Sequence, residues 1–188
     1  MHRRLLLDVL DRYRELHPEE SAVAEQIASF ARAHSDCFER TCLPGHVTGS
    51  AWIVSADHRQ VLLTHHRKLD RWLQLGGHAD GDPDPFRVAL REAREESGLA
   101  TLAPLPDGTG LLPLDLDVHR IPARGREPEH LHHDVRYLLV AAPGQELVRS
   151  DESHDLRWFE RSDLLDRLDE ESLRRMDRKA SARLARLA

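Results

Sequence analysis

The sequence predicts a mixed fold of the α/β or α+β class, with one helix inserted between strands and further helices at both ends of the chain. Apolar residues recur at helical spacing near both termini, which indicates amphipathic helices. Short runs rich in Val, Ile, Leu and Trp lie between residues 47 and 159, and an amphipathic stretch at 84–97 interrupts them. At 188 residues, the chain can bury a sizeable core in one domain with appended helices.

The N-terminal part predicts a helical hairpin. Residues 3–16 and 20–34 have helical periodicity, and His17-Pro18 separates them because proline disfavours helix in the residue before it. We therefore divide the chain into an N-terminal helical extension, 1–35, and a main domain, 36–188. The sequence leaves three roles open for the hairpin: packing on the sheet, a lid over the site, or the contact of a homodimer.

The main domain predicts a series of strands followed by two helices. Residues 47–55 and 60–65 form a hairpin, since 56–59 has turn character. Further strands are expected at 72–75, 111–119, 130–142 and 155–159. Helices are expected at 161–168 and 170–187, the last with apolar residues near helical spacing.

The helix at 84–97 has an apolar stripe and an acidic face. The stripe comprises residues at i, i+3, i+4 and i+7, namely Phe86, Ala89, Leu90 and Ala93. Glu92, Glu95 and Glu96 crowd on the adjoining face, which destabilises a helix by a few tenths of a kcal/mol per pair, roughly. Hard divalent cations such as Mg²⁺ and Mn²⁺ prefer such oxygen ligands, often shared with substrate phosphates. The pattern therefore predicts a phosphate ester or anhydride as substrate.

This helix and the loop before it resemble the Nudix box, G-x5-E-x7-REUxEExGU, where U is a bulky aliphatic residue. The box covers residues 77–99, and the positions that match are Gly77, Arg91, Glu92, Glu95, Glu96, Gly98 and Leu99. Pro83 replaces the first glutamate of the pattern, and Ala93 is smaller than the usual aliphatic residue. The resemblance implies a Nudix-like α/β/α sandwich with a mixed sheet over residues 46–168, and it leaves the N-terminal helices outside.

The resemblance also implies an activity. Nudix hydrolases use Mg²⁺ or Mn²⁺, and a water attacks one phosphorus of a nucleoside diphosphate linked to another moiety. By position, Glu95 and Glu96 are the expected metal ligands, Glu92 is a further ligand or the general base, and Gly77 offers a carbonyl ligand. Arg91 is expected to orient a carboxylate by hydrogen bonds. Glu152, in a late acidic loop, is a further candidate for base or ligand.

Pro83 removes a carboxylate that usually supports the metal or the arginine of the box. Asp82 and Asp84 flank it, and either is a candidate replacement. If neither replaces it, we predict slower chemistry rather than none, because the REAREE core is intact.

The histidines suggest a second site. There are 13, several on or beside predicted strands. Isopentenyl-diphosphate isomerases, relatives on the same fold, bind a metal through histidines and glutamates, and residues in comparable places here are His46, His78, His132 and Asp134. The resemblance implies a second metal or phosphate site there. The alternative is that they are solvated or hydrogen-bonded structural histidines.

Two other functions remain as alternatives. An isomerase-like enzyme needs a cysteine shortly before the loop histidine, where Gly76 and Gly77 stand, and Cys37 and Cys42 lie far upstream. A non-catalytic nucleotide-binding module would explain the loss of the glutamate at Pro83.

Composition limits the classes of binding partner and the location expected for this chain. A net charge of -6 offers no basic field for duplex nucleic acid, so a small nucleotide-type diphosphate is the expected partner. Two cysteines cannot form a disulfide framework, and no apolar run approaches a signal or membrane segment. A cytoplasmic location, without membrane contact, is the resulting expectation.

Overall fold

The predicted mixture of helices and strands is confirmed. The computed structural model describes residues 2–105, 110–125, 127–167 and 170–186, with only the backbone described at 165–167. Within these residues there are five α-helices: α1 Arg4–Leu16, α2 Ser21–Ala33, α3 Pro85–Ser97, α4 Arg161–Arg167 and α5 Glu171–Leu184. The eight strands are β1 Gly45–Val54, β2 Gln60–His66, β3 Arg71–Leu73, β4 Leu75–His78, β5 Leu102–Pro104, β6 Asp115–Ile121, β7 His130–Ala141 and β8 Ser153–Glu160.

A single mixed sheet is built around β1. Strand β1 pairs with β7 in parallel and with β2 and β4 in antiparallel orientation. Strands β5 and β6 pair with β7, and β3 and β8 pair with β2. The predicted sandwich with a mixed sheet is therefore confirmed.

The two faces of the sheet have different partners. Side chains alternate along a strand, and the β1 residues Val47, Ala51 and Ile53 belong to the clusters that α3 and the N-terminal helices complete. Trp52, on the other face, packs with residues of α5 such as Met176. Helix α5 leaves the beginning of β1 and β7 on that face open, and a polar cavity lies there.

The N-terminal helices pack on the sheet. Leu10 and Tyr13 of α1 and Ile27 of α2 share one buried cluster with Val88 of α3 and Val135 of β7. Of the roles that the sequence left open, the structure therefore shows packing on the sheet, on the same side as α3.

Several predicted elements need correction. The strand predicted at 72–75 is two short strands, because the chain changes partner at Gln74 from β2 to β1. Residues 111–114, predicted as the start of a strand, precede β6: they are apolar because Leu112 and Leu114 are buried, and Pro113 has no N–H for a ladder. The short strand β5, paired with β7, was not predicted. The predicted helix ends Leu168 and Leu187 lie outside the described residues.

Candidate functional site

The cavity on the open end of the sheet gathers residues from seven strands and helices, β1, β2, β3, β4, β6, β7 and α3, and from the loops between them. Its volume is about 240 Å³. Acids, cations and histidines share its lining. The acids are Glu92, Glu96, Glu152 and Asp134, the cations are Arg40 and Lys68, and the histidines include His66, His78 and His132.

Local sequence signals determine where α3 begins and ends, and thus which of its side chains reach the cavity. The Asp84 carboxylate accepts hydrogen bonds from the backbone N–H of Phe86 at 3.0 Å and of Arg87 at 3.4 Å, as an N-cap does. Pro85 stands in the first turn, and Gly98 ends the helix with a left-handed φ of 72°. Glu92 and Glu96, one turn apart in this helix, both face the cavity.

Glu96 is the most enclosed of the three glutamates in the cavity lining. It is 8% exposed, and one carboxylate oxygen accepts a hydrogen bond of 3.0 Å from the backbone N–H of Gly76. The pKa of Glu96 is raised to about 8, chiefly by burial and in part by the charges of Glu92 and Glu152, against the lowering effect of the Gly76 N–H. The pKa of Glu92 is also raised, chiefly by burial.

This donor set fits a divalent cation with a preference for oxygen. Besides Asp134, which is paired with Arg136, three carboxylates share one partly closed cavity, and the two on α3 are held away from water. A bound cation would remove both the mutual repulsion and the desolvation cost that raise these pKa values. Mg²⁺ and Mn²⁺ suit such a group.

Gly77 allows Glu92 to lie against the glycine-rich loop. A Cβ atom at position 77 would come within 2.5 Å of the Glu92 carboxyl group. Arg91 links the same two segments, since its guanidinium donates a hydrogen bond of 2.8 Å to the His78 carbonyl and contacts the Glu92 carboxylate at 2.9 Å. Contacts with the glycine-rich loop and with Arg91 of α3 thus fix the position of the Glu92 side chain.

Glu95 differs from its two neighbours on the helix. Its side chain is 60% exposed, lies 3.7 Å from the Arg91 guanidinium, and is not part of the cavity wall. Sequence spacing could not separate Glu95 from Glu96, because both follow Glu92 by about one turn.

Neither aspartate beside Pro83 takes the place of the absent glutamate. Asp84 caps α3, and the Asp82 carboxylate contacts the Arg87 guanidinium at 3.0 Å. Neither residue lines the cavity. Both carboxylates instead make contacts at the start of α3.

Three of the four residues expected at a second site come together, and the fourth does not. The ring centroids of His46 lie 4.9 Å from His78 and 4.8 Å from His132. Asp134 instead accepts hydrogen bonds from Thr48 at 2.9 Å and from Arg136 at 2.7 Å.

His130 is a member of the histidine group that the sequence reasoning missed. Its ring centroid lies 4.8 Å from that of His46 and 5.3 Å from that of His132. A signal was present, because His130 and His132 are two apart in a predicted strand and so share a face. Burial lowers the pKa of His46 and His78 to about 4, so both rings are neutral at neutral pH.

A buried ion network adjoins the cavity and was also missed. Arg136 donates hydrogen bonds to Asp134, to Asp115 at 3.0 Å and to Asp117 at 3.0 Å. Arg175 of α5 donates to Asp115 at 2.8 Å and to Asp117 at 2.8 Å. The network joins β6, β7 and α5, which lie far apart in sequence.

The fold and this site together define an α/β/α sandwich whose acidic helix and glycine-rich loop face one polar cavity. The family model described as the NUDIX domain matches residues 45–180, and the chain belongs to this family. The resemblance seen in the sequence is thereby confirmed. None of the described helices is long and apolar enough to cross a membrane.

Solved structures of the family have the same fold. A NUDIX-family hydrolase from Clostridium perfringens is 26% identical, with a TM-score of 0.56, and the match covers 76% of this chain and 98% of that one. The Ap4A hydrolase of C. elegans in a binary complex is 21% identical, with a TM-score of 0.58 and coverage of 74% and 97%. The dihydroneopterin triphosphate pyrophosphohydrolase of E. coli is 16% identical, with a TM-score of 0.52 and coverage of 70% and 91%. A comparison with curated proteins found no match.

Proposed function

We propose that this protein is a divalent-metal-dependent hydrolase of a phosphoanhydride bond in a nucleoside diphosphate linked to another moiety. The observation that carries the proposal is that one cavity holds both carboxylates, Glu92, Glu96 and Glu152, and cations, Arg40 and Lys68. A diphosphate bound through a cation to the acids would also lie within reach of the basic groups. The cavity would thus offer the negatively charged phosphates both a bound metal ion and cationic side chains.

The carboxylates of α3 are the proposed metal site. Glu92 and Glu96 are the inner ligands, and Gly77, whose Cα lies against the Glu92 carboxyl group, is proposed to add its carbonyl. Glu95 belongs to the proposed set at its solvent side, where its side chain would have to turn from Arg91 to the cavity. Mg²⁺ or Mn²⁺ bound there would neutralise phosphate charge and lower the pKa of a coordinated water.

The remaining residues position substrate and water. Arg91 holds the Glu92 carboxylate in place by the ion pair described above, which favours the ionised form of that acid. Glu152 is exposed and enters the cavity from the loop before β8, where water has access, so we propose it as the general base.

The cations of the cavity lining are the proposed phosphate contacts. Arg40 is already held by the Asp80 carboxylate, with hydrogen bonds of 2.5 and 2.7 Å. Lys68 has no ion pair with any residue in the described part of the chain, and its ammonium group is exposed at the cavity mouth. Lys68 is therefore the more available cation for a phosphate.

The isomerase alternative is not favoured by the site. Among the described residues, the cavity lining contains no cysteine, and Cys37 and Cys42 are buried in other surroundings. The loop position that an isomerase needs for its thiol is occupied by glycine, whose N–H at Gly76 bonds to Glu96.

The test is product analysis with wild type, Glu96→Gln and Glu95→Gln. Each protein is incubated with Mg²⁺ or Mn²⁺ and a panel containing a nucleoside triphosphate, ADP-ribose, a dinucleoside polyphosphate, a nucleotide sugar and isopentenyl diphosphate. We expect metal-dependent release of a nucleotide or pyrophosphate, abolished in Glu96→Gln and reduced less in Glu95→Gln. Absence of hydrolysis of every nucleotide by folded wild type would refute the proposal, and isomerisation of isopentenyl diphosphate would replace it.

A further inference from the structure

A group of histidines lies beside the carboxylate site but uses different chemistry. His46 of β1 pairs in register with His132 of β7 in the parallel ladder, so the two side chains are neighbours on one face. His130 lies two residues before His132 and shares that face. Strand register alone therefore brings these three imidazoles together at the open end of the sheet.

Their ring nitrogens converge without partners. One ligand atom from each of His46, His130 and His132 lies within 4.8 Å of the other two. Both nitrogens of His46, Nε2 of His130 and Nε2 of His132 are buried, with no partner in hydrogen-bond geometry among the described residues. His46 is 2% exposed and His130 is 6% exposed. Buried polar atoms normally have partners, so this concentration of unpaired nitrogens needs an explanation.

The tautomer of His130 indicates what kind of partner the group takes. Its Nδ1 lies 2.9 Å from the Pro128 carbonyl oxygen, which can only accept, so Nδ1 carries the proton. Nε2 of His130 then carries a lone pair, and the nearby charge is the Glu127 carboxylate at 3.8 Å, which also favours a cation. A lone pair binds a cation and repels a phosphate oxygen, and this kind of carbonyl contact is typical behind a metal-bound imidazole.

We propose that His46, His130 and His132 bind a transition metal ion of the Zn²⁺, Co²⁺ or Ni²⁺ class, separate from the carboxylate site. Uncharged imidazoles suit these ions and not Mg²⁺. A tetrahedral Zn²⁺ with bonds of about 2.0–2.1 Å needs nitrogens about 3.4 Å apart, so the rings close slightly on binding.

The fourth position faces the cavity. His132 and His78 line the cavity, whereas His46 and His130 lie behind them. The His78 ring centroid is 4.9 Å from that of His46 and 5.1 Å from that of His132, so His78 is the candidate fourth ligand, with water as the alternative. Asp134 is not part of this set, because Thr48, Ser50 and Arg136 occupy its carboxylate.

The test measures metal binding and does not depend on hydrolysis. Metal-free protein is titrated with Zn²⁺, and separately with Co²⁺ followed by its visible absorption, in excess Mg²⁺ to saturate oxygen sites. We expect one equivalent to bind to wild type, to Glu96→Gln and to the control His154→Gln, which removes an exposed imidazole outside the group. His46→Phe, which keeps a ring of similar size, and His132→Gln should bind at least about 10-fold more weakly.

X-ray absorption of the wild-type zinc complex makes the test independent of any variant's folding. Three or four imidazoles and no sulfur in the zinc shell would support the site. A sulfur ligand would place the ion at the other candidate group, His34, Asp36 and Cys42, and overturn the proposal. Binding lost in Glu96→Gln but kept in both histidine variants, or no Zn²⁺ binding by wild type, would overturn it as well.

Discussion

The backbone N–H of Gly76 lies 3.0 Å from a carboxylate oxygen of Glu96 and donates a hydrogen bond to it. This contact stabilises the ionised acid, but the loss of water around Glu96 has the larger and opposite effect, so its pKa is raised to about 8. The metal-free site therefore holds a proton that a bound cation would displace.

This pKa predicts a pH dependence of stability in the metal-free protein. Because the pKa of Glu96 is higher in the folded state than in the unfolded state, where it is about 4.3, its protonated form favours folding. The contribution is fully present below the unfolded pKa and is lost as the pH rises to about 8. This stabilisation is at most about 1.4 kcal/mol for each unit by which the folded-state pKa exceeds the unfolded-state pKa.

Urea denaturation at pH 5 and pH 8.5, with chelator, measures this effect. Wild type should lose more free energy of unfolding between these pH values than Glu96→Gln, whose amide does not titrate. Glu95→Gln, at an exposed position, should follow wild type. An equal loss of unfolding free energy in wild type and Glu96→Gln between the two pH values would contradict the raised pKa of Glu96.

Gly77→Ala should lower activity with little effect on stability. The added Cβ would come within 2.5 Å of the Glu92 carboxyl group, which is the flexible end of a side chain and can move away. Displacing a catalytic carboxylate by about 1 Å costs up to about 100-fold in rate. The readouts are kcat and the thermal midpoint.

Gly144→Ala is the matched control for that change. A Cβ there meets nothing within 4 Å, but its φ of 74° disfavours alanine. Stability should fall by about 1–2 kcal/mol while activity is retained, the reverse of the pattern for Gly77→Ala. Unchanged activity in Gly77→Ala would show that the placement of Glu92 is not critical.

Glu152→Gln should reduce kcat by about 100- to 10,000-fold if Glu152 is the general base. Mn²⁺ affinity, measured by electron paramagnetic resonance, should stay close to that of wild type. Asp151→Asn is the control, since Asp151 is the exposed neighbour and does not line the cavity. A large loss of Mn²⁺ affinity in Glu152→Gln would make this residue a ligand instead, and equal activity of both variants would exclude either role.

Arg136→Met should destabilise the fold by about 3–5 kcal/mol, because it leaves Asp134 buried without a cation, whereas Asp115 keeps its ion pair with Arg175. Arg120→Met is the control: Arg120 is 69% exposed and pairs with Glu129 at the surface, so its loss costs about 0–1 kcal/mol. Chemical denaturation of both variants provides the comparison. A similar small cost for both would mean that the buried network contributes little.

Pro83→Glu should raise turnover, since neither Asp82 nor Asp84 reaches the cavity to replace the absent glutamate. Pro83→Ala separates the effect of the carboxylate from relief of the proline constraint. The comparison is of kcat at saturating Mg²⁺. Reduced turnover in Pro83→Glu, relative to Pro83→Ala, would contradict the prediction.

The sequence by itself determined α3, its end at Gly98 and the glycine-rich loop before it, whereas the cap at Asp84 was found only in the structure. These features depend on contacts within about 20 residues of chain, and capping, proline and glycine preferences are local properties. The same short-range information placed the two N-terminal helices and most strands.

Only the tertiary structure decided which side chains share the site. Glu96 faces the cavity and Glu95 faces solvent because β1 and β4 pack on one side of α3. His46 meets His132 because β1 and β7 pair in parallel with one particular register, across a long separation in sequence. A shift of one residue in that register would turn the histidines to the opposite face, so their assembly depends on long-range pairing that local patterns do not specify.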